Sequence, residues 1–428
     1  MSTFDSSFDE LIAESRSHRQ QVARRRTRAA LGISVAVALA WVLFVTINDH
    51  WGRVADNWAS AATMTFGSFV AGSTPQGGGA VAFPVFTKIL GVDASVARSF
   101  SLCIQATGMV VASLSIVINR RPVAWRAVGL AIPPAILGFF VGVLALSDSS
   151  LPFWPSTLPG SYVKVFFTLL IASMALMVYL GYRVQIIERI ETVPIAGMRV
   201  SVLIVVAAFI GGVASAIVGS GADVMLYLAI VVVIGVSPRV SVPSSVIVMA
   251  TVSVVGLFTF GVVDGQLDVA LDPSGDVVAV GGEPVTATDD DGIAYGEGEP
   301  LEPIRYDLFG FWLAAIPVAV FGAPLGAWAS SKVTDRQLVR FVVALALAEV
   351  IGTVFFLEGL LFDPDAALIT FAVVGGLVMV TSLVLLKRYR RQILGLPPVD
   401  IEQSFTRDRL DTGPGFREQL LDEDQDGP

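Results

Sequence analysis

The chain has 428 residues, of which 54% are hydrophobic and 15% charged, with a mean hydropathy of +0.72. A soluble protein of this length cannot hide that much apolar surface, so the composition excludes a soluble enzyme and points to a polytopic membrane protein. The formal net charge is −9 and no nucleic-acid partner is expected, and the single cysteine, Cys103, excludes an internal disulfide framework.

Residues 1–28 are polar and carry Arg16, Arg19, Arg24, Arg25, Arg26 and Arg28 ahead of an apolar run from Ala29 to Ile47. The run exceeds a signal-peptide core, so it reads as a retained first span with a cytoplasmic N-terminus; a cleaved signal is the alternative. Further apolar segments fall near 59–73, 79–90, 95–118, 123–146, 162–182, 199–218, 222–236, 241–263, 307–329, 337–357 and 366–386. Several reach the roughly 20 residues that cross about 30 Å of hydrocarbon. Those beside two Gly-rich breaks do not, and are expected to be half-helices, tilted spans or re-entrant pieces.

Loop charges set the orientation. Arg120, Arg121 and Arg126 mark one loop as cytoplasmic, Arg183, Arg189 and Arg199 a second, Lys332, Arg336 and Arg340 a third, and Lys387, Arg388, Arg390 and Arg391 the C-terminal flank. The loops at 147–161 and 358–365 lack Lys and Arg and belong outside. So does an acidic insert holding Asp264, Asp268, Asp272, Asp276, Glu283, Asp289, Asp290, Asp291, Glu297, Glu299 and Glu302, with only Arg305 against them. Arg53, Lys88 and Arg98 fall on the nominally outer side, against the trend. A second acidic cluster, from Asp422 to Asp426, lies in the tail.

The stretch from Gly67 to Thr107 occurs twice. Laying Gly67 on Gly211 also lays Gly77 on Gly221, Gly91-Val92 on Gly235-Val236, Val96 on Val240, Ser101 on Ser245 and Ala106-Thr107 on Ala250-Thr251. With one further displacement, by the length of the acidic insert, Ile132-Pro133, Ala135, Gly138, Gly142 and Ala145 fall on Ile316-Pro317, Ala319, Gly322, Gly326 and Ala329. Duplication with short, Gly/Pro-interrupted segments at matching places is the pattern of transporters whose site lies where the copies meet. If the segments flanking each break pair as one re-entrant unit, the charge map has the second copy entering from the opposite face. The expected fold is therefore all-α, with two inverted-topology helical repeats and broken, short helices at their interface.

The first copy presents Gly77-Gly78-Gly79, then Pro84, then Ser99, Ser101 and Gln105. This arrangement resembles the sulfite exporter TauE/SafE family of membrane permeases over about residues 58–390. The second copy departs, with Gly219-Ser220-Gly221-Ala222-Asp223 in place of the glycine triplet and Leu228 in place of Pro84. The resemblance implies transport of small anions such as sulfite, sulfonates and related sulfur compounds, and the departure leaves the particular anion open.

A helix beginning at the glycines aims free N–H groups and the positive end of its dipole at the break, so an anion can bind without a buried lysine. Candidate substrate-binding residues are Gln76, Gly77, Gly78, Gly79, Ser99, Ser101 and Gln105 in the first copy and Ser220, Gly221, Ser244 and Ser245 in the second, with close packing of small residues as the alternative role. Asp223 and Glu349, ionisable groups in apolar segments, are candidate ion-coupling residues; a helix cap and a wet crevice are their alternatives. Pro133-Pro134 and Pro317 suit a gating bend or a packing kink. Neither His18 nor His50 has a ligand-spaced neighbour, and no cofactor or metal is expected.

The function expected is a secondary transporter, in the export direction, of a small anion, coupled to protons or another ion and working by alternating access in the cell membrane with both termini cytoplasmic. Its partners are the small anion and the lipid bilayer. The sequence has no phosphate-binding G-x-x-x-x-G-K-[ST] loop. An anion channel is the first alternative. An intramembrane aspartyl protease built on Asp223 and Asp307 is the second, and requires the two carboxylates to meet. The expected organisation is a cytoplasmic basic segment (1–28), an extra span and outer loop (29–57), repeat one (58–198), repeat two (199–360, with the insert at 264–306), a final span (361–390) and a cytoplasmic acidic tail (391–428).

Overall fold

A computed structural model of the chain describes residues 2–146, 160–184, 198–271, 277–287, 293–295, 307–357, 360 and 364–393. Most of the outer loop at 147–161, Arg189, Arg305, the acidic tail and most acids of the insert, including Asp272, Asp276 and Asp289 to Asp291, lie outside the described residues.

The helices follow the apolar segments closely. α1 (Ser2–Ile47) is one continuous helix that carries the basic segment into the first span, Arg25–Ile47, and α2 (Trp51–Asp56) links it to the bundle. α3 (Trp58–Ser73) ends at the first break. Beyond it α4 (Gly79–Pro84) passes straight into a π-helical turn, Val85–Ile89. Then come α5 (Ala94–Ile118), α6 (Trp125–Leu146) and α7 (Gly160–Val184). The second series has the same plan. α8 (Met198–Val218) ends at the second break, and α9 (Ala222–Tyr227) runs on as a π-helical stretch, Leu228–Ile234. α10 (Pro238–Gly256) also finishes in π geometry, Leu257–Val263, and α11 (Leu308–Ser330), α12 (Asp335–Phe356) and α13 (Ala366–Ile393) follow. Among the described residues eight helices are long and apolar enough to cross a membrane, and the segments after both breaks are among the shorter apolar ones. The chain is an all-α polytopic membrane protein.

The insert adds a small antiparallel sheet that composition does not announce: β1 (Val269–Leu271), β2 (Val277–Val280), β3 (Glu283–Ala287) and β4 (Ile293–Tyr295), in sequential order. Gly281 and Gly282, with φ of +62° and +81°, make the two-residue turn between β2 and β3, a conformation that glycine adopts without steric cost.

Local chemistry explains where helices begin. Asp93 accepts from the Ser95 N–H at 2.7 Å, Ser237 from the Arg239 N–H at 3.3 Å and Asp307 from the Gly310 N–H at 2.9 Å, while Thr334 and Gln337 form a reciprocal capping box. Each supplies an acceptor to an N–H that has none inside the helix.

The two series pack through each other. α3 lies along α11: Ser60 donates to the Phe311 carbonyl at 2.8 Å, Ser68 reaches that of Val318 at 3.5 Å, and Gly72 sits against the backbone of Ala323 and Ala327. Partner numbers rise together, so these helices run parallel. α8 lies along α6 in the same manner, with Gly138 on Phe209, Gly142 on Val213 and Gly212 on Ala135 and Phe139. At each glycine a methyl group would strike the facing backbone, so the matched glycines of the Pro/Gly motif are the close-contact points of both helix pairs. α5 and α10, which the alignment makes equivalent, are antiparallel. Ser99 near the start of α5 meets Gln266 beyond the end of α10, Leu102 packs on Gly256, and Ala124 beyond α5 donates to Ser244 early in α10. α6 and α11 continue through Pro133-Pro134 and Pro317.

α1 attaches by the Trp41 indole, which donates to the Leu313 carbonyl at 2.8 Å. Outward-facing Leu39, Leu43, Leu137, Leu144, Phe258, Phe356, Leu377 and Val378 leave the bundle with the apolar exterior that a bilayer solvates.

Candidate functional site

The two breaks meet in the interior. Every residue from Ala71 to Ala80 is buried, as are Val218 to Val224. Gly77 has φ +65° and Gly219 φ +75°, left-handed conformations that a Cβ makes costly, which is why glycine stands at both turns. Ser220 donates to the Gln76 carbonyl at 3.2 Å. These two positions are equivalents in the alignment, so the breaks touch at matching points. Gly79 is pressed against Ser101 and Ser220, where the start of a side chain would come within 2.8 Å of Ser101 Oγ.

α5 threads this junction. Ser101 Oγ donates to the Gly219 carbonyl at 3.2 Å. Gln105 Nε2 donates to the same carbonyl at 2.8 Å, to Ser101 Oγ at 2.8 Å and to the Ser101 carbonyl at 3.0 Å. In the second copy, Ser215 Oγ takes the Ala222 N–H at 2.9 Å, and Asp223 Oδ1 takes that of Val224 at 2.9 Å. The backbone groups that the break strips from the helix are thus met by short side chains of the neighbouring helices, as a dry interior requires.

The structure gathers Gln76, Gly77, Gly79, Ser101, Gln105, Ser220 and Asp223 at one place, with Gly78 against Ala71 and Met64 and Gly221 against Ala214 on its flanks. It does not bring the other candidates there. Ser99 donates to Gln266 Oε1 at 2.5 Å at the end of α10. Ser244 donates to Val240 of its own helix and ties down the link between α5 and α6, and Ser245 donates to the Val242 carbonyl. Gln76 Nε2 donates to the Val342 carbonyl on α12 at 3.3 Å.

Glu349 lies elsewhere, in a second buried polar cluster. Lys88, on the π-helical turn after the first break, donates to Glu349 Oε1 at 2.5 Å and to Thr353 Oγ1 at 2.7 Å, and Thr168 of α7 donates to the same Glu349 oxygen at 2.8 Å. Both charged side chains are 3% exposed. Sequence reasoning placed Lys88 on the outer side and missed this pair. The available signal was its position inside an apolar segment, because a charge at membrane depth needs a partner. The ion pair of Arg53 with Asp307 at the start of α11 was missed likewise. Asp307 is held by Arg53 and Gly310 and shares no hydrogen-bond partner with Asp223. Arg98 covers the Phe260 ring, 4.3 Å from its centroid. Beyond the end of α10, burial raises the Asp264 carboxyl above its ordinary range and the charge of Arg98 partly offsets this.

A family model described as the sulfite exporter TauE/SafE matches residues 59–282, more than half of the chain. The chain belongs to that family. The TauE/SafE match contains both breaks, α3 from residue 59 onward, α4 to α10 and the start of the insert, so the interior junction lies within the matched region. Comparison with curated proteins and with solved structures returned no match. The chain is therefore a multi-pass membrane protein of a transporter family, and the smaller extent of the match than of the resemblance leaves α11 to α13 outside it.

Proposed function

We propose that this protein is a secondary transporter that exports a small sulfur anion, sulfite or a sulfonate, by alternating access of two inverted repeats, coupled to the movement of a second ion. The observation that carries the reading is the meeting of the two glycine breaks at equivalent positions, Gln76 and Ser220, inside the bundle. A single pocket at the junction of two copies is what an alternating-access carrier needs, since either copy can rock against the other and expose the pocket to one face. The antiparallel course of the equivalent helices α5 and α10, with the reciprocal packing of α3 on α11 and α8 on α6, supports an axis lying in the membrane plane. Repeat one would span 58–198 and repeat two 199–360, with both termini cytoplasmic in the cell membrane.

The junction is closed, and its donors are spent on protein acceptors: Ser101 and Gln105 on Gly219, Ser220 on Gln76. Substrate binding in this reading exchanges those partners for the anion's oxygens, with the first-turn N–H group at Gly79, and that of Ala222 once it leaves Ser215 Oγ, completing the shell. Separating the breaks and seating the anion are then one event.

Counterflow of radiolabelled sulfite in proteoliposomes tests the proposal. Saturable uptake accelerated by sulfite on the opposite side is the expected result. Flux that rises linearly with gradient and shows no exchange would instead establish a channel.

A further inference from the structure

Directly above Gly77 the structure turns two oxygen acceptors on one spot. The point at which a side chain on Gly77 would begin is 2.7 Å from Asp223 Oδ2, 2.7 Å from Gln105 Oε1 and 3.4 Å from Ser220 Oγ. Asp223 is 0% exposed and Gln105 1%, and neither of these oxygens has a hydrogen-bond partner. The orientation of the Gln105 amide is fixed, because its Nε2 faces the carbonyls of Ser101 and Gly219. Reversing it would set oxygen against oxygen twice. Asp223 Oδ1 is occupied by the Val224 N–H, so Oδ2 is the free end.

Two dry acceptors that reach the same spot without a donor are costly, and a carboxylate among them more so. Among the described residues no hydrogen bond or salt bridge from a cationic side chain to Asp223 supplies the missing charge. On the elements packed around the spot, Lys88 pairs with Glu349, Arg98 covers Phe260, and Arg199 and Arg239 stand at the first turns of α8 and α10. α3 carries no charged residue.

We propose that Asp223, Gln105 and Ser220 form a binding site for one monovalent cation, a proton or a sodium ion, shared between the two repeats. A proton sits on Oδ2 and is donated to Gln105 Oε1; a sodium ion is held by both oxygens with Ser220 Oγ. The site exists only while the breaks touch, since Gln105 comes from the first copy and Asp223 from the second. Occupancy neutralises the Asp223 carboxylate at the junction, so an anion and the cation are favoured together. This deepens the reading of the protein as an ion-coupled carrier and rests on it for the coupling, although binding itself does not.

The test uses the purified full-length protein and the bare ions, with no anion substrate present. If the occupant is a proton, infrared difference spectra show a protonated carboxyl that titrates away as pH rises and is missing from Asp223→Asn. If it is sodium, the melting temperature rises with sodium chloride against choline chloride at fixed pH, and Asp223→Asn abolishes the rise. Gln105→Glu adds a second carboxylate at the spot and keeps the test open should Asp223→Asn fail to fold. It raises the proton midpoint by about one pH unit, or tightens sodium binding about tenfold. An Asp223 that stays ionised throughout, with no response to sodium, overturns the site. Absent sulfite counterflow would overturn the carrier and leave the cation site standing.

Discussion

Glu349 and Asp223 are both buried among membrane helices, yet the protein treats them in opposite ways. Glu349 receives Lys88, Thr168 and Thr353, a set drawn from three different segments, and its charge is met in full. Asp223 receives one backbone N–H and a distant serine at 3.5 Å on one oxygen and nothing on the other. The first arrangement locks the half-helix after the first break to α7 and α12. The second leaves one carboxylate oxygen without a hydrogen-bond partner. Burial alone therefore does not set Asp223 apart from Glu349; its unmet oxygen does.

The comparison breaks most visibly if the paired site is cut on one side. Glu349→Leu strands the Lys88 ammonium and should cost about 3–5 kcal/mol, whereas Lys88→Met with Glu349→Leu should recover most of that loss. Reversible unfolding in mixed detergent micelles reads both, and a double variant no more stable than the single would show that the pair does not matter. Gly77→Ala comes next. The left-handed backbone costs about 1–2 kcal/mol and the new methyl enters the spot facing Asp223 and Gln105. Gly78→Ala, at φ −69° with its nearest neighbour 3.3 Å away, should cost less than half as much, and equal losses would deny the turn its special role.

Asp223→Asn should change stability by under about 1 kcal/mol, because the amide donates where the carboxylate had no donor. Its effect should appear in transport instead, as the loss of pH or sodium dependence of sulfite counterflow. Retention of normal dependence would remove Asp223 from coupling. The smallest effect is outside the membrane, at Asp264. Its carboxyl is raised by burial, so the folded state prefers the neutral form, and the penalty is present above the folded pKa and relieved as pH falls through it. Asp264→Asn should raise the melting temperature slightly at neutral pH and not at all in acid; a loss at neutral pH would mean that attraction to Arg98 outweighs desolvation.

Much of this was legible before any coordinates. Apolar run lengths predicted α3 to α12 to within a few residues, since in hydrocarbon a backbone must form helix and its length is set by bilayer thickness. From sequence the Pro/Gly motif suits a bend or a kink, whereas its matched glycines, Gly138, Gly142, Gly322 and Gly326, sit at close helix contacts. The site was legible only in part. Gln76, Gly77, Ser101, Gln105, Ser220 and Asp223 converge as their place around the breaks suggested, while Ser99, Ser244 and Ser245 were drawn in by residue type and spend their hydroxyls on local acceptors.

What the sequence determined by itself is whatever depends on neighbours along the chain: the spans, the breaks and the turns where glycine stands. What tertiary structure alone decided is partnership across the bundle. Lys88 finds Glu349, and Gln105 and Asp223 both reach Gly77, because helices far apart in sequence are brought together by packing. In a medium without water, which polar group faces which decides whether a charge is paired within the protein or left without a partner.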